Sequence, residues 1–240
     1  MKALVCGATG GLGRSLAEEL ARKGYALMLQ GRCAEDLERL ASDLQLIYNV
    51  DVEILRKDLS QGWSEEDINS CRNWDLTLIA FTLAMTDPFD NGELSPEQRA
   101  TLWQVNVQSV VHLTEELLPG LRKSGGTIIA CGSIASFRGR GTNMVYAASK
   151  SALETYFEGL AHLEQDSSIS VHYYRLGYLN TRNTADLSTP IPMLQPERLS
   201  RTMVSAIGKK RVWKTSPWFW LPIGSILKAL PWNVYRRLKF

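Results

Sequence analysis

The 240-residue chain is 45% hydrophobic and 22% charged, with a formal net charge of +2; this allows one globular domain over residues 1–240 and excludes a disordered chain. Its four cysteines, Cys6, Cys33, Cys71 and Cys131, are widely spaced, with no Cys-x-x-Cys pair and no histidine cluster beside them. That argues against a disulfide framework and a metal site and suits a reducing cytoplasm.

In chain order, the N-terminus enters an apolar strand at once, without the basic region, apolar run and cleavage site of a secretory signal, so a cytoplasmic protein is expected. The strand "KALVC" leads into "CGATGGLG", a turn of Gly7, Thr9, Gly10, Gly11, Leu12 and Gly13 ahead of the helix "GRSLAEELARKG". Leu12, Leu16 and Leu20 recur at helical spacing and form one buried stripe. Glycines in such a turn let the backbone approach a pyrophosphate, and the helix N-terminus offers free N–H groups and partial positive charge. The second strand, "YALMLQ", ends in "QGR": Gly31 leaves space, no acid is present to meet a ribose hydroxyl, and Arg32 together with Arg14 suits a 2′-phosphate. NADPH is therefore expected over NADH.

The helix "AEDLERLASDL" and the strand "VEILR" follow, then Asp58, which at a strand end reads equally as a helix cap. "LTLIA", "GGTIIAC" and "ISVHYY" are three more strands, and a helix from about Tyr146 puts Tyr146 and Lys150 one turn apart on one face. Strand and helix in alternation predict an α/β fold with a parallel sheet covered on both sides.

The Gly7-x-x-x-Gly11-x-Gly13 spacing, with Asn106 in "VNVQS", Ser133, and Tyr146-x-x-x-Lys150 in order, resembles the short-chain dehydrogenase/reductases, a single-domain Rossmann-fold family, along nearly the whole chain. The resemblance implies a doubly wound parallel sheet of about seven strands and a homodimer or homotetramer. It adds Asp58, at the adenine, and Leu59, Gly177 and Thr181 to the glycine turn, Arg14 and Arg32 as NADP(H)-binding residues, alongside Tyr146 and Lys150.

In the implied chemistry Tyr146 exchanges a proton with a carbonyl oxygen that Ser133 hydrogen-bonds, Lys150 also holds the nicotinamide ribose, and Asn106 fixes a water that relays protons to Lys150. A free phenol has a pKa of about 10; a neighbouring ammonium and an oxidised nicotinamide both favour the phenolate. The chain departs from the family at Cys6 for threonine, Thr82 for glycine and Leu176 for proline.

The expected reaction is the NADPH-dependent reduction of a ketone, with substrate selection in residues 181–196 and the C-terminal end. "SIASFRGRGTNMVYAASKSALETYFEGL" and "WKTSPWFWLPIGSILKALPWNVYRRLKF" resemble the reductases that complete the 2′-epimerisation of decaprenylphosphoryl ribose, which implies a keto-sugar on a polyprenyl phosphate carrier; Phe137 stands where those enzymes have aspartate. From Arg198 onward there are ten Lys and Arg and no acid, so residues 1–197 carry a net −8 that disfavours a nucleic-acid partner.

In the tail, from about residue 212, Trp213, Trp218, Trp220, Trp232 and Tyr235 lie among those cations. Two readings stand: contact with an anionic membrane surface, or a roof over the active site or a subunit contact. The apolar stretch from Pro217 to Trp232 is shorter than the ~20 residues a spanning helix needs. Arg138 and Arg140 either reach a substrate phosphate or are solvated. Two further functions fit the same residues: a generic carbonyl or 3-oxoacyl thioester reductase, and a non-catalytic NADPH-binding sensor or scaffold.

Overall fold

The computed structural model describes residues 1–181 and 191–238. Residues 182–190, most of the expected substrate segment, and Lys239 and Phe240 lie outside the described residues. Seven strands run β1 (Lys2–Cys6), β2 (Ala26–Gly31), β3 (Val52–Arg56), β4 (Leu78–Phe81), β5 (Thr127–Ser133), β6 (Ser170–Leu176) and β7 (Arg211–Ser216). The described helices are α1 (Gly11–Arg22), α2 (Ala34–Tyr48), α3 (Glu65–Asn73), α4 (Pro96–Trp103), α5 (Ser109–Ser124), α6 (Met144–Leu163), α7 (Pro196–Ser205), α8 (Trp220–Ala229) and α9 (Trp232–Tyr235), with a π-helical turn at Gln104–Gln108.

All strands are parallel, in the order β3-β2-β1-β4-β5-β6-β7. The chain reverses direction of progress between β1 and β4, which opens a crevice at the C-terminal strand ends, where ligands bind in such sheets. Because side chains alternate along a strand, the sheet builds two cores. Ala3, Val5, Leu27, Leu29 and Leu78 turn to one side, against Leu16 and Leu20 of α1, Leu37 and Leu40 of α2 and Met203 of α7. Leu4, Cys6, Met28, Ile79 and Phe81 turn to the other, against Ile68 of α3, Leu113 and Leu117 of α5, and Leu153 and Phe157 of α6.

The basic, aromatic tail begins differently from its sequence reading. Residues 211–216 are not a surface segment but the edge strand β7, and Trp213 stacks on Tyr173 of β6 with ring centroids 4.6 Å apart. Lysines and arginines on an edge strand discourage pairing with another chain, and here they hide the strand's alternation. Lys209 and Lys210 precede β7, so they sit at the end of the sheet away from the crevice, where Lys210 Nζ donates to the carbonyl of Ser167. Among the described residues no helix is long and apolar enough to cross a membrane.

Candidate active site

The turn after β1 forms around Gly7, which adopts a positive φ of 82°. Its N–H donates to Oε1 of the buried Gln30 at 3.0 Å, and Gln30 Nε2 donates to the Lys57 carbonyl at 2.7 Å, tying the ends of β1, β2 and β3 together. A Cβ at Gly13 would stand 2.1 Å from the Gly7 carbonyl oxygen, so turn and helix close only on glycine. No side chain caps α1, whose N-cap is Gly10, and no acid lies in its first turn. The N–H groups of Gly11, Leu12 and Gly13 therefore face the crevice with partial positive charge and no intrahelical acceptor, a site suited to a diphosphate.

Thr181 arrives from beyond β6 and packs on this turn: a Cβ at Gly11 would meet its Cγ2 at 2.8 Å. Thr82, where the family pattern has glycine, donates to the Cys6 carbonyl at 2.8 Å and so fastens β4 to the same turn.

Thr9 and Arg14 line a cavity of about 700 Å³ with Arg39, Glu35, Asp36 and Asp43 between α1 and α2. Arg14 is engaged there by Asp43 at 3.1 Å and Glu18 at 3.4 Å. Arg32 is exposed after β2. Asp58 accepts the Ser60 N–H at 2.9 Å and so caps the short 3-10 turn that follows. That bond, with a smaller contribution from Arg32, holds its carboxyl below the usual range. Leu59 buries its side chain in the core. The glycine turn and the uncapped start of α1 fit a dinucleotide, and of the two expected 2′-phosphate contacts Arg14 lines the neighbouring cavity.

At the reacting end, β5 delivers Ser133, and α6 delivers Tyr146 and Lys150. Ser133 Oγ accepts the Ala135 N–H at 3.1 Å. Burial raises the Tyr146 phenol's pKa, and the nearby Ser133 hydroxyl and the charge of Arg140 oppose the rise. Lys150 is 2% exposed, with Nζ 5.9 Å from the Tyr146 ring centroid. Its ammonium is turned to the carbonyls of Leu83 and Cys131, at 3.4 Å each, and burial depresses its pKa to about 8. Arg140, read from the sequence as meeting a substrate phosphate or as solvated, thus adds positive charge that favours the phenolate.

Asn106 meets the loop after β4 through its side chain. Fully buried in the π-helical turn, it clamps Met85, accepting its N–H at 2.7 Å and donating to its carbonyl at 2.8 Å, and donates to Ser149 Oγ at 3.2 Å. Its side chain is committed to the loop after β4.

α8 lies over this end of the sheet. Gly224 packs on the Phe137 ring, and Trp220 packs on Gly177, whose Cβ, if present, would be 2.7 Å from Trp220 Nε1. Arg138 donates to the carbonyls of Leu227 and, at 2.7 Å, Leu230, and stacks 3.9 Å from the Tyr235 ring centroid, while Tyr235 donates to the Gly139 carbonyl at 2.7 Å. Arg138 therefore does not stand free in solvent: it secures the end of α8. On the outer side of α8 and α9, Trp218, Leu221, Ile226 and Trp232 are exposed, Trp218 by 77%.

A family model described as short chain dehydrogenase matches residues 1–191. The chain belongs to the short chain dehydrogenase family. An uncharacterized oxidoreductase of Bacillus subtilis is 31% identical over 193 residues, 78% of this chain and 78% of that one. The very-long-chain 3-oxoacyl-CoA reductase of Kluyveromyces lactis is 27% identical over 223 residues, 87% of this chain and 63% of that one. A short-chain dehydrogenase of Sphingobium yanoikuyae in complex with NADPH shares the fold at a TM-score of 0.82 and 21% identity, over 99% of this chain and 96% of that one.

For a short chain dehydrogenase, several supporting groups here lie outside the motif residues. Gln30 left a signal, a polar residue ending an otherwise apolar strand. Trp220 did not: its N–H is buried with no hydrogen-bond partner among the described residues, a feature of packing between distant segments.

Proposed function

We propose that this short chain dehydrogenase is an NADP(H)-dependent carbonyl reductase that converts a ketone to a secondary alcohol. The observation that carries the reading is the convergence of Ser133, the Tyr146 phenol and buried Lys150 at the strand ends, across from a turn closed by glycines. The NADPH in the Sphingobium protein, Arg14 at the α1–α2 cavity and Arg32 exposed just after β2 support the choice of cofactor.

When bound, the reduced dinucleotide supplies the hydride. Tyr146 gives its phenolic proton to the carbonyl oxygen as that oxygen gains charge, and the Ser133 hydroxyl steadies the oxygen by a hydrogen bond. Lys150, Arg140 and Ser133 then favour the phenolate until a proton returns from solvent. Lys150, held on two carbonyls, binds the ribose hydroxyls in this reading.

The ketone we favour is borne on a lipid, a keto-sugar on a polyprenyl phosphate carrier, reached at an anionic membrane surface. Supporting this are the likeness of residues 133–160 and 213–240 to the decaprenylphosphoryl ribose reductases and the outer side of α8 and α9, where Trp218, Leu221, Ile226 and Trp232 are exposed near Lys228, Arg236 and Arg237. A second copy docking by the same face would oppose these cations to their equals, whereas anionic lipid complements them.

The reaction is tested by following NADPH oxidation with candidate ketones. Tyr146→Phe is expected to lose roughly 100-fold or more in kcat, and a variant that keeps pace with the wild type refutes the assignment. Flotation with anionic and neutral vesicles tests the surface: the expected result is binding to anionic vesicles only, weakened by Trp218→Ser with Ile226→Ser. A protein that reduces ketones yet binds no vesicle favours a soluble substrate such as a 3-oxoacyl thioester.

A further inference from the structure

The helix carrying Tyr146 and Lys150 begins without a cap of its own. Its N-cap, Asn143, is in the left-handed conformation at φ 59°, makes no side-chain hydrogen bond to the first turn, and is followed by no acid there. The first N–H groups of such a helix have no intrahelical acceptor. Three of them are met from elsewhere in the chain by one residue, Asp90, in the loop between β4 and α4. Its main-chain oxygen accepts the Met144 N–H at 3.4 Å, its Oδ1 the Val145 N–H at 2.9 Å, and its Oδ2 the Tyr146 N–H at 2.8 Å. Asp90 is 1% exposed.

We propose that Asp90 is a positioning residue for the reaction, fixing the Tyr146 phenol against Ser133 by holding the backbone of Tyr146 itself. The inference rests on the reductase reading above.

Two further contacts support it. The same loop supplies Met85 to the Asn106 clamp and the Leu83 carbonyl to Lys150 Nζ, so three of the four residues expected to act meet one stretch of chain. The carboxylate is itself set by a turn: Asp90 N–H donates to the Asp87 carbonyl at 3.2 Å, while Asp87 Oδ1 accepts the Phe89 N–H at 2.9 Å and Gln98 Nε2 donates to Asp87 Oδ2 at 3.3 Å. Charged acceptors at a helix N-terminus form strong bonds and complement its dipole. An anchor on Tyr146 thus comes from the loop that borders the cofactor turn, where Leu83 touches Gly7.

The test compares Asp90→Asn, which keeps one carbonyl oxygen in place, with Asp90→Ala. Because a misplacement of about 1 Å can cost ~100-fold in rate, kcat is expected to fall roughly 10-fold in the asparagine variant and roughly 100-fold in the alanine variant. The NADPH Kd should stay within about twofold, since the glycine turn is untouched. The solvent isotope effect on kcat should rise in Asp90→Ala as proton transfer becomes slow.

A folded alanine variant with wild-type kcat overturns the proposal. So does a loss that only tracks the folded fraction with an unchanged isotope effect. If the wild type binds NADPH but reduces no ketone, the reductase reading fails, and Asp90 is judged by ultraviolet titration of the Tyr146 phenol, isolated by subtracting Tyr146→Phe. With Ser133, Arg140 and Lys150 as the other groups facing that phenol, Asp90→Ala is expected to move its titration toward that of a free tyrosine; no movement refutes the anchor.

Discussion

Gly224 of α8 sits over the Phe137 ring so closely that a methyl group there would lie 2.4 to 2.5 Å from three ring carbons. Arg175 lies 4.4 Å and Lys228 5.7 Å from the same ring centroid. The ring is therefore the seat of α8, four residues past Ser133. Gly224→Ala is expected to lift α8 and lower stability by about 1–3 kcal/mol, the usual scale of overpacking. The KM for a ketone should rise while the NADPH Kd holds, because the nucleotide turn is remote. Thermal melts and steady-state kinetics check both, and Phe137→Leu in the same chain should restore part of the loss.

Arg14 reaches the α1–α2 cavity already paired with Asp43. A 2′-phosphate entering there must displace that carboxylate and stand near it. Asp43→Asn is therefore expected to tighten NADPH by about threefold, the scale of an exposed ion pair. NADH affinity should not change. Arg14→Ala with Arg32→Ala should weaken NADPH by about tenfold or more through lost charge-assisted bonds, and erase most of the difference between the two nucleotides. Fluorescence titration of both nucleotides at two salt concentrations measures this.

What the sequence disclosed and what it hid follow one physical line. Six strands and the helices α1, α2 and α6 were legible because each carries its own period, as in Leu12, Leu16 and Leu20, and the glycine turn because backbone geometry demands that residue type. β7 was not, since Arg211 and Lys214 on an edge strand mimic the solvated cations of a tail. The spacing of Tyr146 and Lys150 put them on one face, but spacing carries no information about which acceptor an ammonium finds, and Lys150 found two carbonyls. Arg138 looked like a free cation because its partners, Leu227 and Leu230, lie some ninety positions on. Asp90 sits in "TDPFDNGEL", where any aspartate reads as turn chemistry. Contacts between distant segments were the part that local pattern does not encode.

Arg175 and Glu154 form a pair shielded from water, with Arg175 also donating to Thr215 Oγ1 at 2.8 Å and Glu154 accepting from Ser136 Oγ at 2.5 Å. The group ties β6 and β7 to the turn after Ser133 and to α6 one turn past Lys150. Removing one member strands the other charge, so Glu154→Ala is expected to cost about 3–5 kcal/mol. Glu154→Leu with Arg175→Met should regain much of that, since apolar packing can replace a buried pair. Urea unfolding of the three proteins gives the comparison.

Lys150 also makes stability depend on pH, with a sign that can be stated in advance. Burial lowers its pKa from 10.5 to about 8 in the native protein, partly offset by Cys131. Between those values the unfolded chain holds a proton that the native one has released, so the contribution of this site to stability rises with pH across that window. Below about 8 both states are protonated and the native state bears the full penalty of a desolvated ammonium, about 3 kcal/mol from the size of the displacement. Lys150→Met removes the group and with it the dependence. The stability of the methionine variant minus that of the wild type should thus be largest below pH 8 and shrink as pH approaches 10.5. Denaturant midpoints at several pH values measure the difference, and a constant value would mean that Leu83 and Cys131 hold the ammonium as well as water does.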